Sequence, residues 1–142
     1  MFSKTCEYAI RALIFIAQKS KSGHRTGIKE IAAGIDSPSH FIAKILQDLG
    51  KQGLVQSMKG PNGGFFLDDK SLDGSLADIV KAIDGNKLFT GCGLGLKECS
   101  ETHPCPLHFE FLRLRNDIHS MLQKMKLRDF HTQTEIPTFL KR

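Results

Sequence analysis

The stretch SPSHFIAKILQDLGKQGLVQSMKGPNGGFFLDD, residues 37–69, decides the fold. Ser37 suits an N-cap and Pro38 the first helical position, so a helix is expected over 38–50. Phe41, Ile42, Ile45, Leu46 and Leu49 recur at helical spacing and form an inward stripe, and Gly50 and Gly53 end the helix. LVQSM then reads as a short strand, KGPNGG as a turn rich in residues that accept unusual backbone angles, and FFLDD as the return strand.

Upstream, residues 3–19 read as a helix with almost no polar face: Ala9, Ile10, Ala12, Leu13, Ile14, Ile16 and Ala17 predict burial nearly all round. KSGHRTG breaks it, and IKEIAAGI (28–35) is a short helix with Ile28, Ile31, Ala32 and Ile35 on one side. Three helices followed by a hairpin is the order of a winged helix-turn-helix, a mainly α fold with a small β wing. SLADIVKAI (75–83) adds a helix capped by Ser71, Asp73 or Ser75.

Residues 106–126 read as a long helix starting at Pro106. Leu107, Phe111, Leu114, Ile118, Met121 and Met125 are spaced 4, 3, 4, 3, 4, a heptad seam expected to join two copies about a two-fold axis. The resulting division is a winged domain over 1–84, a cysteine loop over 85–105, a dimerisation helix over 106–127 and a weakly ordered tail over 128–142.

The chain of 142 residues suits one domain plus an assembly element, and its net charge of +5 permits a polyanionic partner. The apolar run from Tyr8 to Ala17 is interrupted by Arg11 and too short to span a bilayer, and no cleavage site follows it. A cytoplasmic protein with no membrane partner is expected. No nucleophile elbow, P-loop or H-E-x-x-H occurs, so neither an enzyme nor a small-molecule substrate is expected.

A helix-turn-helix reads double-stranded DNA through its second helix. On the exposed side of helix 38–50, Ser39, His40, Lys44 and Gln47 can each bond a base edge or a phosphate. The wing offers Lys59, Gly60, Asn62 and Gly63. Ser3, Lys4 and Thr5, at the start of the first helix, are placed to hold a phosphate.

Three of the four cysteines lie in TGCGLGLKECSETHPCPLH, residues 90–108. The pattern Cys92-x6-Cys99-x5-Cys105-x2-His108 lacks the tight pairs usual at zinc. Wide gaps suit an iron–sulfur cluster, [2Fe–2S] or [4Fe–4S], whose irons sit at separate corners. Gly91, Gly93 and Gly95 would let the backbone wrap it. A zinc site, a redox-switch disulfide or plain structural thiols are the other readings. His108 is the leading fourth ligand and His103 a competitor. Cys6 reads as a small buried thiol, and Glu7 as a surface glutamate able to reach across a dimer.

YAIRALIFIA, SPSHFIAKILQDLGKQGLVQSMKGPNGGF and the three cysteines before a long helix resemble the IscR/NsrR-type winged-helix regulators, over about residues 1–127. The resemblance implies a homodimeric transcription regulator, most often a repressor, with a labile cluster that senses iron, redox state or nitric oxide. It implies Cys92, Cys99 and Cys105 as thiolate ligands. His108 matches the histidine that completes a [2Fe–2S] site in one member. Glu7 matches an acidic residue that ligates a [4Fe–4S] cluster from the partner subunit in another. Both fourth ligands are therefore on offer. The first cysteine gap of six exceeds the family's five or fewer, and Ala43 stands where the iron–sulfur biogenesis regulator has a site-discriminating glutamate. Its dual-site behaviour is not implied here. The alternative is a cluster-free regulator using the cysteines for zinc or thiol-redox sensing.

Overall fold

The computed structural model describes residues 1–20, 22–131 and 140–141. It is built around α1 (Lys4–Ser20). Cys6, Ala9, Ala12, Leu13, Ile16 and Ala17 are fully enclosed, as a helix without a polar face requires. α2 (Ile28–Ile35), α3 (Ser39–Lys51), α5 (Leu76–Asp84) and α8 (Leu127–His131) pack directly against it. No helix among the described residues is long and apolar enough to cross a membrane.

The turn between α2 and α3 is made differently from the sequence expectation. Asp36 takes the left-handed conformation (φ 53°) and its N–H returns to the Ala32 carbonyl. A short polar side chain tolerates that region. Pro38 is the residue before α3, not within it, and the Ser37 hydroxyl caps nothing. Ile42, Ile45, Leu46 and Leu49 are buried as read, but Phe41 is 51% exposed. Seven residues beyond Phe41 stands Asp48, so position 41 lies at the edge of the apolar stripe.

The wing is β1 (Gln56–Met58) paired antiparallel with β2 (Gly64–Phe66). Thr26 bridges to Phe65 through two backbone bonds of 2.9 and 2.8 Å, tying the wing to the segment before α2. Gly64 has φ 144°, and a Cβ there would meet the Thr26 backbone at 2.9 Å, so this close approach requires glycine. A short helix not read from the sequence, α4 (Asp69–Leu72), is capped by Asp68. α5 begins with a capping box between Ser75 and Asp78.

After a one-turn α6 (Lys87–Thr90), the cysteine loop leads to α7 (His108–Lys124), which starts two residues later than Pro106. The heptad seam divides. Leu107, Leu114 and Met121 are exposed, while Phe111 and Ile118 are partly covered by the same chain. Past α7 the chain returns to the body: Lys126 bridges to Ser75, and Leu127 N–H donates to the Gly74 carbonyl. The weakly ordered tail expected over 128–142 needs correction at its start. α8 is docked on α1, with the His131 ring against the Ala17 carbonyl, and Leu140 is buried. Positions 132–139 and 142 of that expectation lie outside the described residues.

Leu46 is fully enclosed between α3 and the core. Leu46→Ala is expected to lower unfolding stability by about 2–5 kcal/mol, read from the urea midpoint at unchanged m-value.

Candidate functional site

The loop between α6 and α7 folds its three thiols into one place: the Sγ atoms of Cys92, Cys99 and Cys105 all lie within 4.8 Å of one another. Cys92 and Cys105 approach to 3.8 Å. The Leu94 N–H points at the Cys92 sulfur (3.4 Å) and the Cys105 N–H at the Cys99 sulfur (3.4 Å). These donors come from Leu94 and Cys105 and not from the glycines. Gly93 serves packing instead, because a Cβ there would run into the Phe111 ring.

His108 opens α7, its N–H bonded to the Cys105 carbonyl at 3.0 Å. That turn brings its Nδ1 to 3.2 Å from the Cys99 sulfur. The ring is buried, yet its Nε2 has no partner among the described residues. A buried imidazole nitrogen without a partner carries a desolvation cost. Three thiols and one imidazole are the donor set of zinc or of an iron–sulfur cluster, and this arrangement of soft ligands fits either group.

The thiols are not equivalent. The backbone N–H groups of Leu96 and then Leu94 stabilise the Cys92 thiolate and bring its pKa down to about 7. Partial burial, foremost, holds the Cys105 thiol above its ordinary value. Cys6 is separate: it is enclosed in α1, and burial, then the charge of Asp84, pushes it up to about 12. It is the structural thiol that the sequence indicated.

The other proposed ligands are not brought to this group. Glu7 lies on α1, half-buried and paired with Lys4 at 3.2 Å. His103 is exposed and bonds Thr102. At the start of α1, Ser3 is committed to Asp84, which accepts from both its N–H and its hydroxyl, while its own Oγ accepts the Cys6 N–H. The anion-binding end expected there is thus already occupied by an internal carboxylate, although Lys4 remains exposed.

Ser39, His40, Lys44 and Gln47 are all exposed on α3. Lys59, Gly60 and Asn62 are exposed at the wing tip. Gly63 is half-buried, and a Cβ there would collide with the Met58 carbonyl oxygen, so the turn itself accounts for this glycine. Two residues were missed. Phe41 stacks its ring on His40 with centroids 4.5 Å apart, and Arg25 lies over the Phe66 ring at 5.5 Å beside the wing. The interrupted stripe around Phe41 was a usable signal, whereas the pairing of Thr26 that places Arg25 has none in the sequence.

A family model, Rrf2, described as iron-dependent transcriptional regulator, matches residues 2–133. The transcriptional regulator NsrR of Geobacillus kaustophilus is 30% identical over 133 residues, covering 92% of this chain and 84% of its own. The solved structure of CymR, the global cysteine regulator of B. subtilis, superposes with a TM-score of 0.77 at 21% identity, covering 95% of this chain and 98% of that one. IscR of T. potens superposes with a TM-score of 0.71 at 21% identity, covering 95% and 88%. These last two likenesses establish the shared fold.

With iodoacetamide at pH 7.5 on metal-free protein, Cys92 is expected to label first, and Cys99 and Cys105 after it. Cys6 should label only after denaturation, as peptide mass mapping over time will show. Early labelling of Cys6 would contradict its enclosure in α1.

Proposed function

The chain belongs to the Rrf2 family of transcriptional regulators, and we propose that it is a homodimeric repressor whose grip on operator DNA is set by an iron–sulfur cluster on Cys92, Cys99, Cys105 and His108. The observation that carries this reading is the convergence of three thiols with a buried imidazole whose Nδ1 lies 3.2 Å from the Cys99 sulfur. Cys92 lies against Cys105 and Cys99 against His108, so these four residues would together hold the cluster. When bound, the cluster would supply a redox-active, nitric-oxide-reactive and easily lost centre. The chain's own part is to hold it through donors from two ends of one loop. A carboxylate from Glu7 of a second copy is the route to a [4Fe–4S] group instead.

In this reading residues 1–84 form the reading head, 85–105 the sensing loop, 106–127 the dimer helix and 128–142 the tail. The exposed Leu107, Leu114 and Met121, one heptad apart, support pairing of two copies along α7. The DNA contacts are assigned to Ser39, His40, Lys44 and Gln47 on α3, to Lys59, Gly60, Asn62 and Gly63 at the wing, and to Lys4. The protein acts in the cytoplasm, where its operators are.

A second reading has its own support. With Zn–S bonds of about 2.3 Å, the edges of one tetrahedral site measure about 3.8 Å. The 3.8 Å contact between Cys92 and Cys105 matches such an edge. A single zinc ion, with thiol-redox control, is that alternative.

Anaerobic purification separates them. The expected result is visible absorption, with iron and acid-labile sulfide in equal amounts, abolished by Cys99→Ala and by His108→Ala but not by Glu7→Ala. Zinc without sulfide, after anaerobic reconstitution has also been tried, would favour the second reading. Loss in Glu7→Ala with retention in His108→Ala would move the assignment to [4Fe–4S].

Operator binding is expected to fall steeply with salt, because phosphate contacts release counterions. On fragments selected in vitro from genomic DNA, Lys44→Ala should lower the slope of log K against log salt by about 1. A flat salt response of the wild type would remove DNA from the reading.

A further inference from the structure

Arg115, on the inner side of α7, is only 9% exposed. Its one hydrogen-bond partner among the described residues is the Gly91 carbonyl, 2.6 Å from Nη1. Its Nε is buried and bonds nothing, and none of the ion pairs among the described residues includes it. Burying a guanidinium without an anion is costly, and the edge formed by Nε and Nη2 is the one that matches a carboxylate in a fork.

Arg115 lines a cavity of about 580 Å³ between the start of α1, the end of α5, α6 and α7. Leu88, Phe111 and Ile118 supply apolar wall, and Lys87 adds a second cation. The cavity's acidic residue, Asp84, accepts the Ser3 N–H and hydroxyl and makes no ion pair with Arg115. An apolar chamber with one buried, unmatched cationic fork is built for an amphipathic anion.

We propose that this cavity binds a small organic monocarboxylate, its carboxylate on the Arg115 guanidinium and its apolar body against Leu88, Phe111 and Ile118. The site needs no metal, although it shares Cys92 with the cluster reading. It also adjoins the sensing loop. Arg115 holds the carbonyl of Gly91, the residue before Cys92, and Cys92 itself lines the cavity. An occupant therefore sits against the loop's first anchor.

The test is isothermal titration calorimetry of the full-length protein with hexanoate, benzoate and 3-phenylpropionate, each against its uncharged amide. At least one acid is expected to bind once per protomer, with its amide at least tenfold weaker. Arg115→Met, checked for folding by circular dichroism, should erase that preference. If this variant does not fold, the acid–amide comparison on the wild type still decides, supported by Ile118→Trp, which should fill the chamber and block binding. Equal binding of acid and amide, or no saturable binding of any of the three acids, would overturn the proposal. So would a second copy as occupant: no acid binds, and Arg115→Met turns a dimer into a monomer in sedimentation.

Discussion

A helix with almost no polar face has to be covered on every side, and α1 is that helix. Ala9, Ala12 and Ala17 have side chains small enough to let neighbours approach, and Leu13 and Ile16 fill the space between. α2 and α3 close one part of the surround, and α5 and α8 another. Its one charged residue in the middle, Arg11, escapes burial of an unmatched charge by donating to the carbonyls of Ile35 and Leu140 and lying over the Tyr8 ring. Enclosing α1 fixes α3 with its polar side outward, and it fixes α5, whose end leads through α6 to the cysteine loop. The DNA-facing surface and the thiol site are thus both consequences of covering one apolar cylinder.

The loop itself has no such core. It is held by turns, by N–H groups aimed at sulfur, and by the contact of Gly91 with Arg115. Gathering thiols in this way leaves a graded set. The two N–H groups near Cys92 favour its thiolate, while Cys105 is held protonated more strongly. A soft metal centre bound as proposed would displace those protons and supply the order that the loop's own contacts provide only in part. In the family reading this makes the metal part of the loop's structure, so that losing the metal changes the shape of the loop as well as its charge.

Much of this was legible in the sequence because it rests on periodicity and punctuation. α1, α2, α3 and α5 fall within a residue or two of their expected bounds, since each has a full apolar stripe and a polar break. The cysteine group was legible as composition, and the structure brings Cys92, Cys99, Cys105 and His108 together. What was not legible depends on the third dimension. Phe41 sits at the edge of the stripe, where Asp48 already interrupts it, and the packing of α3 leaves it outward. The seam of α7 reads as one stripe, yet the body of the chain covers part of it through Phe111 and Ile118 and leaves Leu107, Leu114 and Met121. Arg115 reads as a solvated cation on a charged helix. Its burial arises because Gly91 and α6 fold over it. The start of α8 was read as tail because five residues are too few to show a period.

The connection between loop and reading head follows from where α7 is attached. At its far end the chain is fastened to the body by the bridge between Lys126 and Ser75 and by the bond of the Leu127 N–H to the Gly74 carbonyl. At its near end α7 is joined to the cysteine loop through His108 and Cys105. Between these ends α7 also packs on α5 and α6; in the proposed cluster reading, loss of a metal from the loop would loosen its near end first. In the proposed dimer, α7 joins two reading heads. Their recognition helices must meet major grooves about 34 Å apart, one turn of the duplex. Ser75 is also the capping residue of α5, which packs on α1. The far end of α7 is therefore fastened to the body that carries α3, and in the proposed dimer a change in the direction of α7 would alter the angle between the two reading heads.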